Sequence, residues 1–288
     1  MTRRAPKTVI IAGQGALTGH LVASLRAKDQ PFVLAEMEGF PADVPGSDPI
    51  RFRVERLVPF FDHLADLGVT RVCFAGAVRR PRLEPELFDA RTATLVPRLL
   101  AALQAGDDGA LRTVIALFEE WGFTVVGAHE IAPDLLPPAG VLTRAAPMPQ
   151  HHADAECGES VVEMMGREDS GQACVVAGGQ IIAKEGPDGT DAMMRALLPA
   201  TGDDKRLSPG PVPAQTGGIL FKAPKPEQDR RADLPVIGPE TALMAAEAGL
   251  AGIVIEAGGV MVLDQSRVRE MLDGLGLFLW VRPHGFRR

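Results

Sequence analysis

Val9-Ile10-Ile11-Ala12-Gly13-Gln14-Gly15-Ala16-Leu17-Thr18-Gly19 begins as a β-branched run, passes through two glycines and enters a segment of helical spacing. The run Val9-Ile10-Ile11 reads as a strand. Working outward, residues 16–28 predict a helix, 32–35 a strand, 55–67 a helix and 71–74 a strand, which is βαβαβ. A helix over 83–105 interrupted at Pro97, a helix over 109–121 and a strand over 123–126 follow. This alternation predicts an α/β class with a Rossmann-like parallel sheet in the N-terminal half, and ligands at the carboxyl ends of its strands.

Five prolines, Pro133, Pro137, Pro138, Pro147 and Pro149, crowd the next stretch and remove backbone donors. The domain boundary is placed there, giving residues 1–132 as a nucleotide-binding domain, 133–150 as a linker and 151–288 as a second domain. The second half reads as mixed α/β or α+β. Helices are expected over 153–167, 239–248 and 266–274, with a short one after Asp191. Strands are expected over 173–176, 180–183, 219–222, 252–255, 260–263 and 277–281, and Gly178-Gly179 suits a hairpin turn. Residues 202–215 read as a polar loop.

A chain of 288 residues exceeds the usual size of one core, which agrees with two domains. Hydrophobic residues at 46% and charged residues at 23% describe a globular composition. The formal net charge of -7 argues against general attraction to nucleic acid, so an anionic substrate needs a local cluster of cations. Cys73, Cys157 and Cys174 have no CxxC spacing, which favours neither a disulfide framework nor structural zinc and fits a reducing compartment. Neither a signal peptide nor an uninterrupted apolar span is read from the sequence.

Gly13-Gln14-Gly15 sits at a strand-to-helix junction, where phosphate can approach backbone N–H groups. The spacing through Gly19 is GxGxxxG, one residue longer than the dinucleotide fingerprint, so a nucleotide phosphate site and a simple tight turn both remain open. Gly76-Ala77-Val78-Arg79-Arg80-Pro81 ends another strand and reads either as a phosphate clamp or as a solvated basic loop. Asp107 and Asp108 could hold a ribose or cap a helix, and His129 in Gly127-Ala128-His129-Glu130 carries a similar ambiguity. His151-His152 reads as a hinge rather than a metal pair.

The densest constellation is Lys222-Ala223-Pro224-Lys225-Pro226-Glu227-Gln228-Asp229-Arg230-Arg231-Ala232-Asp233-Leu234-Pro235, a mixed-charge loop following an apolar strand. Lysines can neutralise phosphate oxygens while carboxylates hold a hard cation, although a solvated loop would share this composition. Asp188 and Asp191, flanking Gly189-Thr190, could add oxygen ligands or cap the next helix. Glu256 ends a strand before Gly258-Gly259. The C-terminal apolar stretch with Trp280 and terminal arginines reads first as a buried strand and second as a lipid contact.

Taken in order, six strings resemble one family. They are Gly76-Ala77-Val78-x-Arg80-Pro81, Gly106-Asp107-Asp108-x-Ala110-Leu111-Arg112, Gly127-Ala128-His129, Gly189-Thr190-Asp191-Ala192-Met193, Lys222-x-x-Lys225-Pro226-x-Gln228-Asp229-x-Arg231-x-Asp233-Leu234-Pro235-x-Ile237-Gly238-Pro239, and Gly249-Leu250-Ala251-Gly252-Ile253-x-Ile255-Glu256-Ala257-Gly258. This series is similar to the UDP-2,3-diacylglucosamine pyrophosphatases of bacterial lipid A synthesis. The DxH and GNHD motifs of the unrelated two-metal phosphoesterase that performs the same step are missing.

The resemblance implies a Mg²⁺-dependent hydrolase with a Rossmann-like N-terminal domain and a family-specific C-terminal one. Water would attack the α-phosphorus and release UMP and 2,3-diacylglucosamine 1-phosphate (lipid X). It further implies work at the cytoplasmic face of the inner membrane, peripherally attached, on a lipid-linked UDP-sugar, with self-association into a homo-oligomer left open.

On this mapping the catalytic residues are Asp233, Asp229, Lys222 and Lys225, and the metal ligands Asp233, Asp191 and Asp188. Gly13, Gln14, Gly15, Gly76, Arg79, Asp107, Asp108, His129, Thr190, Gln228 and Glu256 would bind substrate. A nicotinamide-dependent oxidoreductase acting on a sugar nucleotide and a non-catalytic nucleotide-binding protein are the competing readings.

Overall fold

The computed structural model describes residues 5–78, 80–104, 106–198, 217–226 and 228–285; Arg79, Glu227 and the expected loop at 202–215 lie outside them. The chain forms two compact units. One holds residues up to Pro133 together with Asp229–Asp233, and the other holds Asp134–Gln228 with Leu234–Arg288.

In the N-terminal unit, β1 (Lys7–Ala12), α1 (Leu17–Ala27), β2 (Phe32–Met37), β3 (Ile50–Phe52), α2 (Leu57–Asp66) and β4 (Val69–Ala75) follow one another. Next come α3 (Val96–Gln104), α4 (Asp107–Glu120), β5 (Thr124–Val125) and α5 (Ala128–Ile131). The strands are all parallel, in the order β3-β2-β1-β4-β5. This is the Rossmann-like order, and it reverses at the β1/β4 boundary. Val9, Ile10 and Ala12 of β1 are fully buried, as a strand covered on both faces requires. Leu17, Leu21 and Leu25 of α1 form the buried helical stripe. Beneath α2 and α4 lies an aromatic cluster in which Phe61 meets Phe118, Trp121 and Phe123.

The helix expected over 83–105 is broken. Short 3-10 turns occupy Pro85–Leu87 and Thr92–Leu95, and α3 begins only at Val96. Pro97 therefore interrupts nothing: it stands in the first turn, where a missing N–H has no intrahelical acceptor to serve.

In the C-terminal unit, β6 (Gly140–Val141), α6 (Pro149–Arg167), β7 (Ala173–Ala177), β8 (Gln180–Lys184), α7 (Gly189–Ala196) and β9 (Ile219–Lys222) come first. They precede β10 (Val236–Ile237), α8 (Pro239–Glu247), β11 (Gly252–Glu256), β12 (Met261–Val262), α9 (Gln265–Leu275) and β13 (Phe278–Arg282). The main sheet runs β6-β13-β11-β9-β7-β8, with β13, β11 and β9 parallel to each other and β6, β7 and β8 antiparallel to their neighbours. β10 and β12 form a small parallel pair.

Even-numbered residues of β11 and β13, such as Val254, Phe278 and Trp280, pack with α6 residues Ala155, Val161 and Met165. Odd-numbered ones, Ile253, Ile255, Leu279 and Val281, face Met194, Ala242, Ala245 and Leu272 from α7, α8 and α9. The sheet is thus covered on both sides, and its parallel centre is apolar in both registers. Gly178 and Gly179, at φ +58° and +75°, make the β7–β8 hairpin turn that suits a left-handed pair.

The proline-dense stretch 133–150 is more ordered than a linker. It holds a 3-10 turn at Pro133–Leu135, the strand β6 and the start of α6 at Pro149. Proline is accommodated as the first residue of a helix because its fixed φ suits that position. His151, expected as a hinge, is buried and caps α6: its Nδ1 accepts the Met148 N–H at 3.0 Å.

Candidate functional site

At the carboxyl edge of the N-terminal sheet the loops after β1 and β4 are joined by a two-way bridge. Gln14 N–H donates to Ala77 O and Ala77 N–H to Gln14 O, each at 2.9 Å. A Cβ on Gly13 would stand 2.6 Å from Ala77 O, and one on Gly76 would stand 2.6 Å from Gln14 O. These glycines therefore permit loop-to-loop approach at the point where strand order reverses. Thr18, in the first turn of α1, donates its hydroxyl to Ala75 O at 3.0 Å and ties the helix start to the same edge. Gln14 and Gly15 are exposed there, with Gly15 at φ +102°.

The neighbouring strand, β5, is followed by Gly127, the N-cap of α5, and His129 lies in that helix. The His129 ring folds back over Gly127, and its Nδ1 is buried with no hydrogen-bond partner among the described residues. Glu36, near the end of β2, is buried and both of its oxygens are engaged. One accepts from Arg51 Nε at 3.0 Å and the other from Ala42 N–H at 2.9 Å. Asp107 and Asp108 open α4 behind Gly106, so neither is the N-cap residue itself; the side chain of Asp107 lies outside the described residues. Acidic residues in a first turn complement the helix dipole.

The Asp229–Asp233 segment belongs to this same unit. Asp229 O accepts the N–H groups of Ala232 and Asp233, both at 3.1 Å, which closes a tight turn. The Asp229 carboxylate is gripped by Arg231: Oδ1 accepts from N and Nε at 3.0 Å, and Oδ2 from Nη2 at 2.8 Å. Arg231 Nη1 reaches Glu119 of α4 at 2.6 Å. The Arg231 guanidinium holds the Asp229 carboxyl below the usual range. Asp233 is half-buried, and Ala232 packs against the aromatic core.

In the C-terminal unit, Lys222 ends β9 and is buried. Its ammonium donates to Thr190 Oγ1 at 2.8 Å and to Val236 O at 3.1 Å. Thr190 in turn donates to Glu185 Oε1 at 2.9 Å, and Glu185 Oε2 accepts the Gln172 N–H at 2.8 Å. Gln228, also buried, has its Nε2 3.4 Å from Gln172 Oε1, and its Oε1 accepts the Lys225 N–H at 3.0 Å. Lys225 pairs with Asp169. The unit thus brings Lys222, Lys225, Thr190 and Gln228 into one network, together with Glu185 and Gln172. No sequence spacing marks those last two as partners, because only the pairing of β7 with β8 and β9 brings them in.

Lys222 is in register with Ile255, and Glu256 with Arg282, so Glu256 and Lys222 face opposite sides of the sheet. Glu256 is buried with His284 Nδ1 at 3.0 Å, and Arg282 pairs with Glu159 of α6 at 2.9 Å. Burial works against ionisation at Glu159. The Gly285 N–H and the Arg282 guanidinium prevail and keep its carboxyl below the usual range.

Two family models match the chain, LpxI N-terminal domain over residues 7–135 and LpxI C-terminal domain over residues 138–280. The chain is 39% identical over 283 residues to the UDP-2,3-diacylglucosamine pyrophosphatase LpxI of Caulobacter vibrioides, covering 95% of this chain and 96% of that one. This chain belongs to the LpxI family. The family's N-terminal match runs from β1 to the 3-10 turn at Pro133–Leu135, and its C-terminal match runs from just before β6 into β13.

The expected metal ligands are dispersed. Asp233 belongs to the N-terminal unit, whereas Asp188 and Asp191 are exposed at the start of α7, Asp191 with Arg195 at 3.8 Å. Among the described residues no three His, Cys, Asp or Glu side chains gather into a cation site. Exposed carboxylates of this kind do not cage a cation. Among the described residues no helix is long and apolar enough to cross a membrane.

Proposed function

We infer that this chain hydrolyses the pyrophosphate bond of UDP-2,3-diacylglucosamine in lipid A biosynthesis. The observation that carries this is the 39% identity over 95% of the chain to a protein of that name, with family matches to both halves. The products are UMP and 2,3-diacylglucosamine 1-phosphate, with water attacking the α-phosphorus.

Asp233 either holds Mg²⁺ or orients that water, and its place at the end of a backbone-locked turn supports an essential role. Lys222 and Lys225 oppose the charge that builds on the pyrophosphate oxygens; the fixed acceptors around Lys222 support a preorganised cation. Thr190 and Gln228 hold these lysines in place. The exposed Gln14-Gly15 edge, Gly13 and Gly76 beneath it, Arg79, Asp107, Asp108 and His129 receive the UMP moiety, and Glu256 contributes to substrate binding. Asp188, Asp191 and Asp233 are the carboxylates that would hold Mg²⁺, which would supply neutralisation of diphosphate oxygens when bound. The chain works at the cytoplasmic face of the inner membrane, where its diacylated substrate lies.

The test is incubation of purified protein with UDP-2,3-diacylglucosamine in ¹⁸O water, with Mg²⁺ or chelator, and mass analysis of products. Label in UMP, Mg²⁺ dependence and loss of turnover in Asp233→Ala are expected. Label in the lipid phosphate would overturn attack at the α-phosphorus, and an active Asp233→Ala enzyme would remove Asp233 from the chemistry.

A further inference from the structure

We propose that Arg231 is a positioning residue for this hydrolysis and that Asp229 is its counter-ion, the pair fixing the turn that presents Asp233. The inference rests on the reading of Asp233 as the essential carboxylate. Both oxygens of Asp229 are taken by Arg231, which uses its backbone N–H, Nε and Nη2 for the purpose. The remaining face of the guanidinium, at Nη1, is anchored to Glu119 of α4. A forked guanidinium matches a carboxylate in two parallel bonds, so the pair has a defined geometry and not merely a Coulombic attraction.

That geometry is transmitted through the main chain. Asp229 O accepts the N–H of Asp233 itself, so rotating the Asp229 peptide moves the Asp233 backbone. Ala232, between the two, is held against the aromatic core by packing. Glu119, Arg231, Asp229 and the Asp233 amide form one continuous chain of contacts, with α4 as its rigid end.

A carboxylate that accepts three hydrogen bonds from one arginine is poorly suited to take a proton in turnover. A useful base must give up those bonds and match its proton affinity to the working pH. The function of Asp229 is thus to hold Arg231 while Arg231 holds the turn.

The test is steady-state kinetics on the full chain with UDP-2,3-diacylglucosamine, comparing Arg231→Ala, Arg231→Lys, Asp229→Asn, Glu119→Gln and Asp229→Asn/Arg231→Ala with Asp233→Ala as the reference. Displacing an aligned group by about 1 Å can cost on the order of 10²-fold. Arg231→Ala should thus lose roughly 10- to 100-fold in kcat, with KM within about twofold. Asp229→Asn should lose a similar factor, and the double variant no more than either single one, because the two act as a unit. Arg231→Lys should recover part of the loss, and the acid limb of the kcat/KM profile should stay in place in Asp229→Asn.

If Asp229→Asn falls to the Asp233→Ala level while Arg231→Ala keeps more than half of its activity, Asp229 acts on the reactants directly and the inference fails. It fails equally if both variants turn over normally. Should Arg231→Ala not fold, Arg231→Lys and Glu119→Gln, which keep the turn's packing, decide by the same split of kcat from KM. An active Asp233→Ala enzyme would instead remove the underlying reading and leave the clamp as a structural feature.

Discussion

Thr190 has one hydroxyl proton, and Glu185 receives it; Lys222, which can only donate, takes the Thr190 oxygen as acceptor. The direction of each bond is thus dictated by chemistry. Thr190→Val should leave a buried ammonium and a carboxylate each short of a partner and cost about 1–3 kcal/mol, read as a lower urea midpoint, while Thr190→Ser should lose far less. Asp229 adds a pH dependence. Its folded pKa is depressed, so the stability it contributes is present above the unfolded carboxylate value and is lost as pH falls through the folded one. Arg231→Ala should therefore melt closer to the native protein in acid than at neutral pH, and a gap that widens in acid would contradict this assignment. Lys222, Lys225, Gln228, Asp229 and Asp233 were legible in the sequence because they share one short string. Glu185, Gln172 and Glu119 were not, since what recruits them is strand pairing and helix packing across many residues.

Among the elements, β1 was the easiest to read: Val9, Ile10 and Ile11 are apolar on both faces and become the centre of a parallel sheet. The glycines beside it left a phosphate approach and a tight turn both open, and the nearest atoms at Gly13 and Gly76 belong to the opposite loop. Gly76, at φ +88° and in that contact, should tolerate alanine badly. Gly76→Ala is expected to cost about 2 kcal/mol or more by combined strain and clash, measured by chemical denaturation, whereas Gly19→Ala, inside α1 with open space around it, should stabilise by about 0.4–1 kcal/mol. The helix expected over 83–105 failed because apolar periodicity there serves two 3-10 turns and α3 in succession. Pro149 misled for the opposite reason, since a residue that breaks a helix interior begins one well.

At the scale of the molecule, two separately covered sheets explain why 288 residues carry such a high share of apolar side chains with no need of cross-links. Cys73 and Cys174 are buried, and burial pushes both thiols up to about 12. Cys157 is only half-buried. Alkylation of the native protein should therefore label Cys157 first and reach the other two on unfolding; early modification of Cys73 would mean that the N-terminal core opens readily. Ala232, contributed from far along the chain, completes that core. Ala232→Asp should lower hydrogen-exchange protection in β1 and β4 more than in β9 and β11.

That late contribution imposes a timetable on biosynthesis. A ribosome adding about 5–20 residues per second delivers residue 229 roughly 5–20 s after residue 133, so the nascent N-terminal unit waits, incomplete, for its last piece. The first half of the polypeptide cannot reach its final form before most of the second has been translated.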